Sequence, residues 1–358
     1  MIKPNNILII IQRSNGDVFL SYSLVKALYD YYDEPNIDLL VNTDTFSVAN
    51  LIPYVKKIHT FSYKNKQNSR LRQETNIVSK IFRKYDLSIN LTASDRSVLY
   101  ALLASKNSIS AVEIDKKKSW WKKKFLSGYY FFDNSIHILE NNLKSLKFLN
   151  INFQTIQLPI EPSQEVTLNI KEKLRAKTIS KFLIFHPSAQ YEYKIYPQPL
   201  RDALLTHLSR LGVSILITGS KNFIDLNIKK QIPPLTNVID FIGETSIEEF
   251  IALSQLSLGY IGMDTLNMHI AASQDKPIFA IFGPTNLKMW APWSNKLRMS
   301  ATSNTPIQTY GNITIFQANM KCVACGKAGC DNTGVSECLN NIDAKVIFNK
   351  VSEWFEKK

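Results

Sequence analysis

Residues 7–32 read ILIIIQRSNGDVFLSYSLVKALYDYY, and this stretch decides the fold. The five apolar residues at 7–11 predict a parallel strand that is buried on both faces. After the loop at 12–17, apolar side chains recur at helical spacing over 18–32, which predicts a helix with one buried face. A strand, a loop and a helix in this order begin a βαβ unit.

The same alternation continues along the chain, so the sequence predicts an α/β protein with parallel sheets. Further strands are predicted at 37–41, 57–61, 87–91, 109–113, 182–185, 214–218, 238–241, 258–261 and 277–282. Further helices are predicted at 73–84, 97–105, 137–149, 200–211, 247–253, 266–273 and 344–355. The ligands of such sheets bind beyond the carboxyl ends of the strands, and that is where we look for a site.

The segment 157–177 contains Pro159, Pro162 and several charges, and we interpret it as the connection between two domains. We therefore predict a domain at 1–160, a domain at 161–343 and a cleft between them. The helix predicted within 344–358 is expected to pack back on the N-terminal domain.

The composition excludes several classes of protein. Aromatic residues make up 11% of the 358 residues, which is too many for a disordered chain. The first residues do not follow the plan of a signal peptide, and no run approaches the ~20 apolar residues that span a bilayer. A soluble, cytoplasmic protein is expected.

The formal charge of +13 is concentrated in the first part of the chain. Residues 1–150 hold 22 basic and 13 acidic residues, whereas residues 151–358 hold 21 and 17. The run KKKSWWKKK at 116–124 places six lysines around two tryptophans; these residues are Lys116, Lys117, Lys118, Trp120, Trp121, Lys122, Lys123 and Lys124. Such a run suits an anionic membrane surface or a phosphorylated glycolipid, but it is also compatible with a solvated basic loop or with nucleic acid.

Two loops that follow predicted strands carry side chains suited to catalysis or ligand binding. Asp17 follows the first strand, where its carboxylate could cap the next helix or serve as a general base. The loop at 186–194 combines Ser188 and Lys194, a set that suits a diphosphate, although an ordinary connecting loop is equally compatible. No G-x-G-x-x-G dinucleotide fingerprint is present.

A third loop opens a predicted helix with Asp264 and Thr265. Either residue could cap the helix, and the helix start is a potential anion site. His269 lies one turn further on, where it could meet a phosphate or be an ordinary structural histidine. The Gly283-Pro284 pair that follows the next strand is typical of a tight structural turn.

Four cysteines, Cys322, Cys325, Cys330 and Cys338, are clustered near the C-terminus. Four thiolates could bind zinc or iron, but their spacing is not that of the common zinc ribbons. Reduced or occasionally paired thiols in a compact loop are the alternative, so a structural metal is one of two open interpretations.

Taken in order, these segments resemble glycosyltransferase family 9, the ADP-heptose:lipopolysaccharide heptosyltransferases. The similar segments are 7–32, IPYVKKI at 52–58, FLIFHPSAQYEYKIYP at 182–197, ILITGS at 215–220, 237–272, 276–293 and the cysteine cluster. The resemblance implies a GT-B fold, an acceptor-binding N-terminal domain and a C-terminal domain that binds a nucleotide sugar. It also implies inverting heptose transfer with no metal required for catalysis.

The resemblance implies roles for particular residues. Asp17 matches the family's catalytic carboxylate, and Arg13 is assigned to the acceptor side together with the basic run. Donor-binding roles fall on Ser188, Lys194, Gly219, Gly243, Thr245, Asp264, Thr265 and His269. The implied partners are an ADP-sugar, a lipid A–Kdo/heptose acceptor and the anionic inner face of the inner membrane of a Gram-negative bacterium, with no nucleic acid.

Two positions depart from the family pattern. Leu266 stands where the family has a glycine after Asp264-Thr265, and Tyr196 stands where a tryptophan follows the lysine. Leu266 places a side chain where backbone would approach phosphate, so a transferase of the same fold with another nucleotide sugar, or one that glycosylates a protein, is the alternative. A basic nucleic-acid-binding module is the non-enzyme alternative, but its aromatic residues match no recognisable motif.

Overall fold

A computed structural model describes residues 3–64 and 66–357, without the side chains of residues 66–69, 116 and 332. The chain divides into two compact units, Met1–Leu158 and Pro159–Lys358. This division lies two residues before the boundary expected from the sequence.

The first unit is built on a six-stranded parallel sheet. Its strands are β1 (Asn6–Ile11), β2 (Asn36–Asn42), β3 (Val55–Phe61), β4 (Leu87–Asn90), β5 (Ser108–Val112) and β6 (Gly128–Phe131). Their spatial order is β3-β2-β1-β4-β5-β6, and every neighbouring pair is parallel. This is the order of a Rossmann-like sheet, in which the direction of winding reverses between β1 and β4. The apolar run of β1 is buried on both faces, as its composition predicted.

The helices of the first unit flank this sheet. They are α1 (Asn15–Leu20), α2 (Tyr22–Tyr31), α3 (Phe46–Ala49), α4 (Lys66–Ile81), α5 (Asp95–Ala104), α6 (Lys116–Phe125) and α7 (Ile138–Leu143), with 3-10 turns at Thr43–Thr45 and Lys144–Leu149. The helix predicted at 18–32 is divided at Ser21, whose hydroxyl donates to the carbonyl of Val18. A serine side chain that bonds to the preceding turn competes with the helical pattern and favours such a break.

The second unit repeats the topology of the first. Its strands are β7 (Phe182–His186), β8 (Ser214–Gly219), β9 (Val238–Ile242), β10 (Tyr260–Met263), β11 (Ile278–Phe282), β12 (Ile307–Tyr310) and β13 (Ile313–Gln317). The order is β12-β13-β11-β10-β7-β8-β9, and all pairs are parallel except β12 with β13. The winding therefore reverses between β7 and β10, which marks the expected ligand edge of this sheet.

The helices of the second unit cover its sheet. They are α8 (Gln164–Ala176), α9 (Gln198–Leu208), α10 (Phe223–Lys230), α11 (Ile247–Leu256), α12 (Leu266–Ser273), α13 (Leu287–Trp290), α14 (Glu337–Asn340) and α15 (Ala344–Phe355), with 3-10 turns at Glu192–Lys194, Ser209–Leu211 and Cys330–Asn332. In the part of the chain that the structure describes, no helix is long and apolar enough to cross a bilayer.

The segment interpreted as a connection between domains contains a helix of the second unit. This helix, α8, is held to α11 by an ion pair of 2.5 Å between Lys173 Nζ and Glu249 Oε1. The C-terminal helix α15 packs against α9 of the same unit, where Ile347 and Val351 join the core. Its expected packing on the N-terminal domain stays a prediction.

Candidate functional site

The first candidate site lies at the carboxyl end of β1, where the winding of the first sheet reverses. Asp17 occupies the first turn of α1, and its side chain is almost completely buried. Arg13 Nε lies 2.6 Å from Asp17 Oδ1. The backbone N–H and the hydroxyl of Ser14 donate to Asp17 Oδ2 over 3.2 and 2.6 Å. The carboxylate is thus held in one orientation by partners on both oxygens.

These contacts show that Asp17 caps the start of α1, which was one of its two expected roles. The capped carboxylate can still accept further hydrogen bonds, because each oxygen of an ionised carboxyl group can accept more than one. The guanidinium of Arg13 also lies over the ring of Phe132, 4.7 Å from its centroid. Asp17 is therefore a fixed, negatively charged acceptor at a strand end, a placement that suits a general base.

The second candidate site lies at the carboxyl ends of β7 and β10, where the winding of the second sheet reverses. The loop after β7 carries Ser188 and Lys194, and the loop after β10 carries Asp264 and Thr265. Lys194 Nζ lies 2.9 Å from Asp264 Oδ2. The structure thus brings together the predicted donor-binding residues of two loops that are 70 residues apart.

The charge of Lys194 is supported by its surroundings. Attraction by Asp264 raises the pKa of Lys194 above the ordinary value of a lysine, and this effect outweighs the opposing effect of burial. The side chain keeps a quarter of its surface exposed. It therefore offers a permanent positive charge to an anionic group at this edge.

Helix α12 begins beside this ion pair. Thr265 is the N-cap residue, but its side chain makes no capping hydrogen bond and its hydroxyl lies 3.5 Å from that of Tyr260. Leu266 is the first helical residue and is half-buried. His269 is buried within the helix, and its backbone N–H donates to the carbonyl of Thr265 over 3.4 Å.

Close packing explains why the strand before α12 carries a glycine. A Cβ atom on Gly262 would lie only 2.4 Å from the carbonyl oxygen of His186. Any side chain at this position would push β7 and β10 apart at the ligand edge. The Gly283-Pro284 turn has a structural role too, because Gln317 Nε2 donates to the carbonyl of Gly283 over 3.0 Å.

The other predicted donor-binding residues lie at the ends of β8 and β9. The N–H of Gly243 donates to the carbonyl of Gly219 over 2.9 Å, and Gly243 has the positive φ of 77° that favours glycine. Thr245 is half-buried and lies just before Ser246, the N-cap of α11. These three residues line the same edge of the sheet as Lys194.

The basic run at 116–124 is a helix, α6, and not a loop. Exposed side chains on it are Lys117, Lys118, Trp120 and Lys124, while Trp121 and Lys123 are half-buried. Lys123 Nζ lies 5.9 and 5.8 Å from the centroids of the Tyr129 and Phe131 rings on β6. The side chain of Lys116 lies outside the described part of the chain.

Lys122 does not belong to this exposed set. Its side chain is fully buried, and its ammonium lies 2.6 Å from Glu113 Oε2 and 2.7 Å from Asp95 Oδ1. It also donates to the carbonyl of Ala93 over 2.7 Å. We therefore remove Lys122 from the predicted membrane-binding residues, because it holds α6 to the loops that follow β4 and β5.

The cysteine cluster consists of free thiols. Cys322 and Cys325 are exposed, Cys330 is half-buried and Cys338 is buried. Burial raises the pKa of the Cys338 thiol to about 11, and the proximity of the other three cysteines adds to this effect. Within residues 3–64 and 66–357, no three His, Cys, Asp or Glu side chains are placed to hold a metal ion together. A structural metal stays a prediction that metal analysis of the purified protein would test.

Three polar residues of the second site were not among the predicted site residues. His186 ends β7, and its Nδ1 lies 2.9 Å from the hydroxyl of Thr218 at the end of β8. The side chain amide of Asn267 on α12 lies 3.1 Å from the same nitrogen. The signal for His186 was present in the sequence, since a histidine directly after four apolar strand residues points to the ligand edge.

Comparison with known proteins identifies the family of this chain. The sequence model of glycosyltransferase family 9 (heptosyltransferase) matches residues 75–316. Lipopolysaccharide heptosyltransferase 3 of Escherichia coli is 25% identical over 297 residues, which cover 80% of this chain and 85% of the relative.

Solved structures agree with the topology. The structure of a glycosyltransferase of family 9 from Veillonella parvula matches this chain with a TM-score of 0.77 at 16% sequence identity. The match covers 99% of this chain and 98% of that protein. The structure of the ADP-heptose lps heptosyltransferase II of E. coli matches with a TM-score of 0.72 at 16% sequence identity. This match covers 98% of this chain and 99% of that protein. The two Rossmann-like units are those of the GT-B fold. The chain belongs to glycosyltransferase family 9 and is a glycosyltransferase.

Proposed function

We propose that this chain transfers a heptose from ADP-heptose to the inner core of lipopolysaccharide or lipooligosaccharide, with inversion at the anomeric carbon. The observation that carries the proposal is the placement of Lys194 and the start of α12 at one sheet edge. A cation and a helix N-terminus together suit a diphosphate. The names of the similar proteins, lipopolysaccharide heptosyltransferase 3 and ADP-heptose lps heptosyltransferase II, supply the sugar and the acceptor class.

The proposed reaction is a single displacement. Asp17 accepts the proton of an acceptor hydroxyl, and the resulting oxygen nucleophile forms a bond to the anomeric carbon of the donor. The bond between that carbon and the diphosphate oxygen breaks, and ADP leaves with the electron pair. Lys194, Ser188 and the amides at the start of α12 stabilise the charge that develops on the leaving group.

Arg13 has a supporting role in this proposal. Its 2.6 Å contact fixes Asp17 Oδ1, while Ser14 fixes Oδ2, so the carboxylate does not need to reorient during the reaction. The positive charge for the leaving group comes from the protein, so we expect turnover to persist when divalent cations are chelated.

In this proposal the basic surface of the first unit binds the membrane. Trp120 is 63% exposed on α6, and the exposed residues Lys117 and Lys124 lie three and four positions from it on the same helix. Indole at headgroup level and lysine beside anionic lipid suit a membrane surface. We infer a cytoplasmic enzyme that binds the inner face of the inner membrane, where a lipid-linked acceptor carrying phosphate and acidic sugars would be presented.

The direct test in cells is mass spectrometry of the glycolipid from a strain that lacks the gene. We expect a lipopolysaccharide core truncated by one heptose and by everything attached to that heptose, restored by the wild-type gene. An unchanged core would contradict the proposed acceptor.

One observation favours a second candidate function. Leu266 occupies the first position of α12, where the family pattern has glycine, and its side chain is half-buried beside the proposed diphosphate site. A side chain there could select another nucleotide sugar, or the enzyme could glycosylate a protein. A panel of nucleotide sugars tests the donor, since ADP-heptose should give the highest kcat/KM if the first proposal holds. The glycolipid analysis above tests the acceptor, because an enzyme that glycosylates a protein would leave the lipopolysaccharide core unchanged.

A further inference from the structure

His186 is a buried polar residue at the proposed donor site for which the reaction above has no role. It is the last residue of β7, directly at the reversal point of the second sheet, and is 7% exposed. Its ring packs near those of Phe250 and Tyr260, whose centroids are 6.2 and 6.4 Å away. A histidine fixed in this way can transmit the orientation of one neighbour to another.

The ring makes polar contacts at both nitrogens. Nδ1 lies 2.9 Å from Thr218 Oγ1, and Nε2 lies 3.4 Å from Ser188 Oγ. Burial lowers the pKa of His186 to about 4, with the negative charge of Asp225 acting in the opposite direction. At neutral pH the imidazole is therefore uncharged, with one nitrogen as donor and the other as acceptor.

Three neighbours hold the His186 ring in place. The side chain amide nitrogen of Asn267 lies 3.1 Å from Nδ1 and 3.4 Å from Nε2, and the hydroxyl of Thr218 lies beside Nδ1. The oxygen of Ser188 faces Nε2. The ring therefore fixes the position of the Ser188 side chain through Nε2.

We propose that His186 is a positioning residue, whose Nε2 contacts the Ser188 hydroxyl and holds it in place for the diphosphate of the sugar donor. This inference rests on the proposed function, because it assumes that a nucleoside diphosphate binds at this edge.

The test uses the full chain and compares the affinities of ADP and adenosine by calorimetry. Ser188→Ala and His186→Leu are each expected to weaken ADP binding about 10-fold, the loss of one hydrogen bond to a charged group. Adenosine should bind equally to all variants, because it lacks the diphosphate. His186→Gln, whose amide nitrogen can replace Nε2, is expected to retain ADP affinity within about threefold.

The coupling between the two residues gives the sharpest readout. If His186 acts through Ser188, the double variant should bind ADP about as weakly as either single variant. A loss of ADP affinity of ~100-fold in the double variant, the product of the two single losses, would mean that the residues act independently and would overturn the proposal. An equal loss of adenosine affinity in His186→Leu would assign His186 a purely structural role and would also overturn it.

Two controls complete the design. If His186→Leu does not fold, Thr218→Val removes the contact to Nδ1 and is expected to weaken ADP binding selectively; unchanged ADP binding would count against the proposal. UDP and GDP are titrated beside ADP. Selective binding of UDP or GDP would refute ADP-heptose as the donor. The coupling between His186 and Ser188 would then be measured with the nucleotide that binds, so the two proposals can fail separately. No binding of any of the three to the wild type would refute both.

Discussion

Lys194 Nζ lies 2.9 Å from Asp264 Oδ2, and this ion pair joins the loops that follow β7 and β10. The side chain of Asp264 is 9% exposed, so its carboxylate has little contact with water and is paired with Lys194 instead. The same lysine is the cation that we assign to the leaving diphosphate. Stability and donor binding are therefore linked at one pair of residues.

Replacing Lys194 should separate these two contributions. Lys194→Met is expected to reduce kcat/KM at least ~100-fold, since it removes a group that stabilises developing charge. It should also lower the free energy of unfolding by about 1 to 3 kcal/mol, because the Asp264 carboxylate loses its partner. The double variant Lys194→Met/Asp264→Asn should recover the stability but not the transfer. Recovery of transfer in the double variant would show that Lys194 has only a structural role.

The buried His186 predicts a pH dependence of stability. Its pKa is lowered from 6.5 to about 4 by burial, so between these values the unfolded chain binds a proton that the folded chain does not. The free energy of unfolding should therefore fall as the pH decreases from about 6.5 to 4, by up to roughly 3 kcal/mol. Denaturant unfolding at several pH values should show a flatter profile for His186→Gln. Parallel profiles would contradict the neutral, buried state of His186.

Two adjacent lysines on α6 should behave differently. Lys122→Met leaves Glu113 and Asp95 without their shared cation and is expected to lower the free energy of unfolding by about 2 to 4 kcal/mol. Lys123→Met is the matched control and should lower it by no more than about 1 kcal/mol, because Lys123 is half-buried and, within the described residues, its ammonium contacts only the rings of Tyr129 and Phe131 on β6. Equal effects in thermal or denaturant unfolding would refute the structural role of Lys122.

The exposed face of α6 predicts binding to anionic membranes. Replacing Lys117, Lys118 and Lys124 by Gln should weaken partitioning onto vesicles that contain anionic lipid by about 100-fold, at ~1 kcal/mol for each lysine. A control with the same loss of charge replaces the exposed lysines Lys171, Lys345 and Lys357 of the second unit. Equal partitioning of the two triple variants would assign the effect to net charge and not to α6.

The sequence predicted most of the strands and their alternation with helices because the evidence for them is local, whereas β6, β12 and β13 were not predicted. The buried run of β1 and the strand before the 186–194 loop are short apolar segments bounded by polar loops, and such segments indicate parallel strands without any knowledge of their neighbours. The loops after β1, β7 and β10 then followed from the rule that ligands bind at carboxyl ends.

The features that were missed depend on partners far away in the sequence. Lys122 belongs to a run of six lysines that shows no apolar periodicity, and its ion-pair partners are Asp95 at the start of α5 and Glu113 after β5. The contact between α15 and α9 was likewise not evident from the sequence.

Transfer by Asp17→Asn tests the central claim most directly. The amide oxygen can still accept from the Ser14 N–H, but the amide nitrogen then faces the Arg13 Nε–H, which is also a donor. The free energy of unfolding should therefore fall by about 1 to 3 kcal/mol, while the affinity for ADP, which we assign to the second unit, should be unchanged. With ADP-heptose and a heptose-deficient lipopolysaccharide acceptor, mass spectrometry should show one added heptose for the wild type. For Asp17→Asn the rate should fall ~100-fold or more, as expected for loss of a general base. Transfer at the wild-type rate by a folded Asp17→Asn variant would contradict the account.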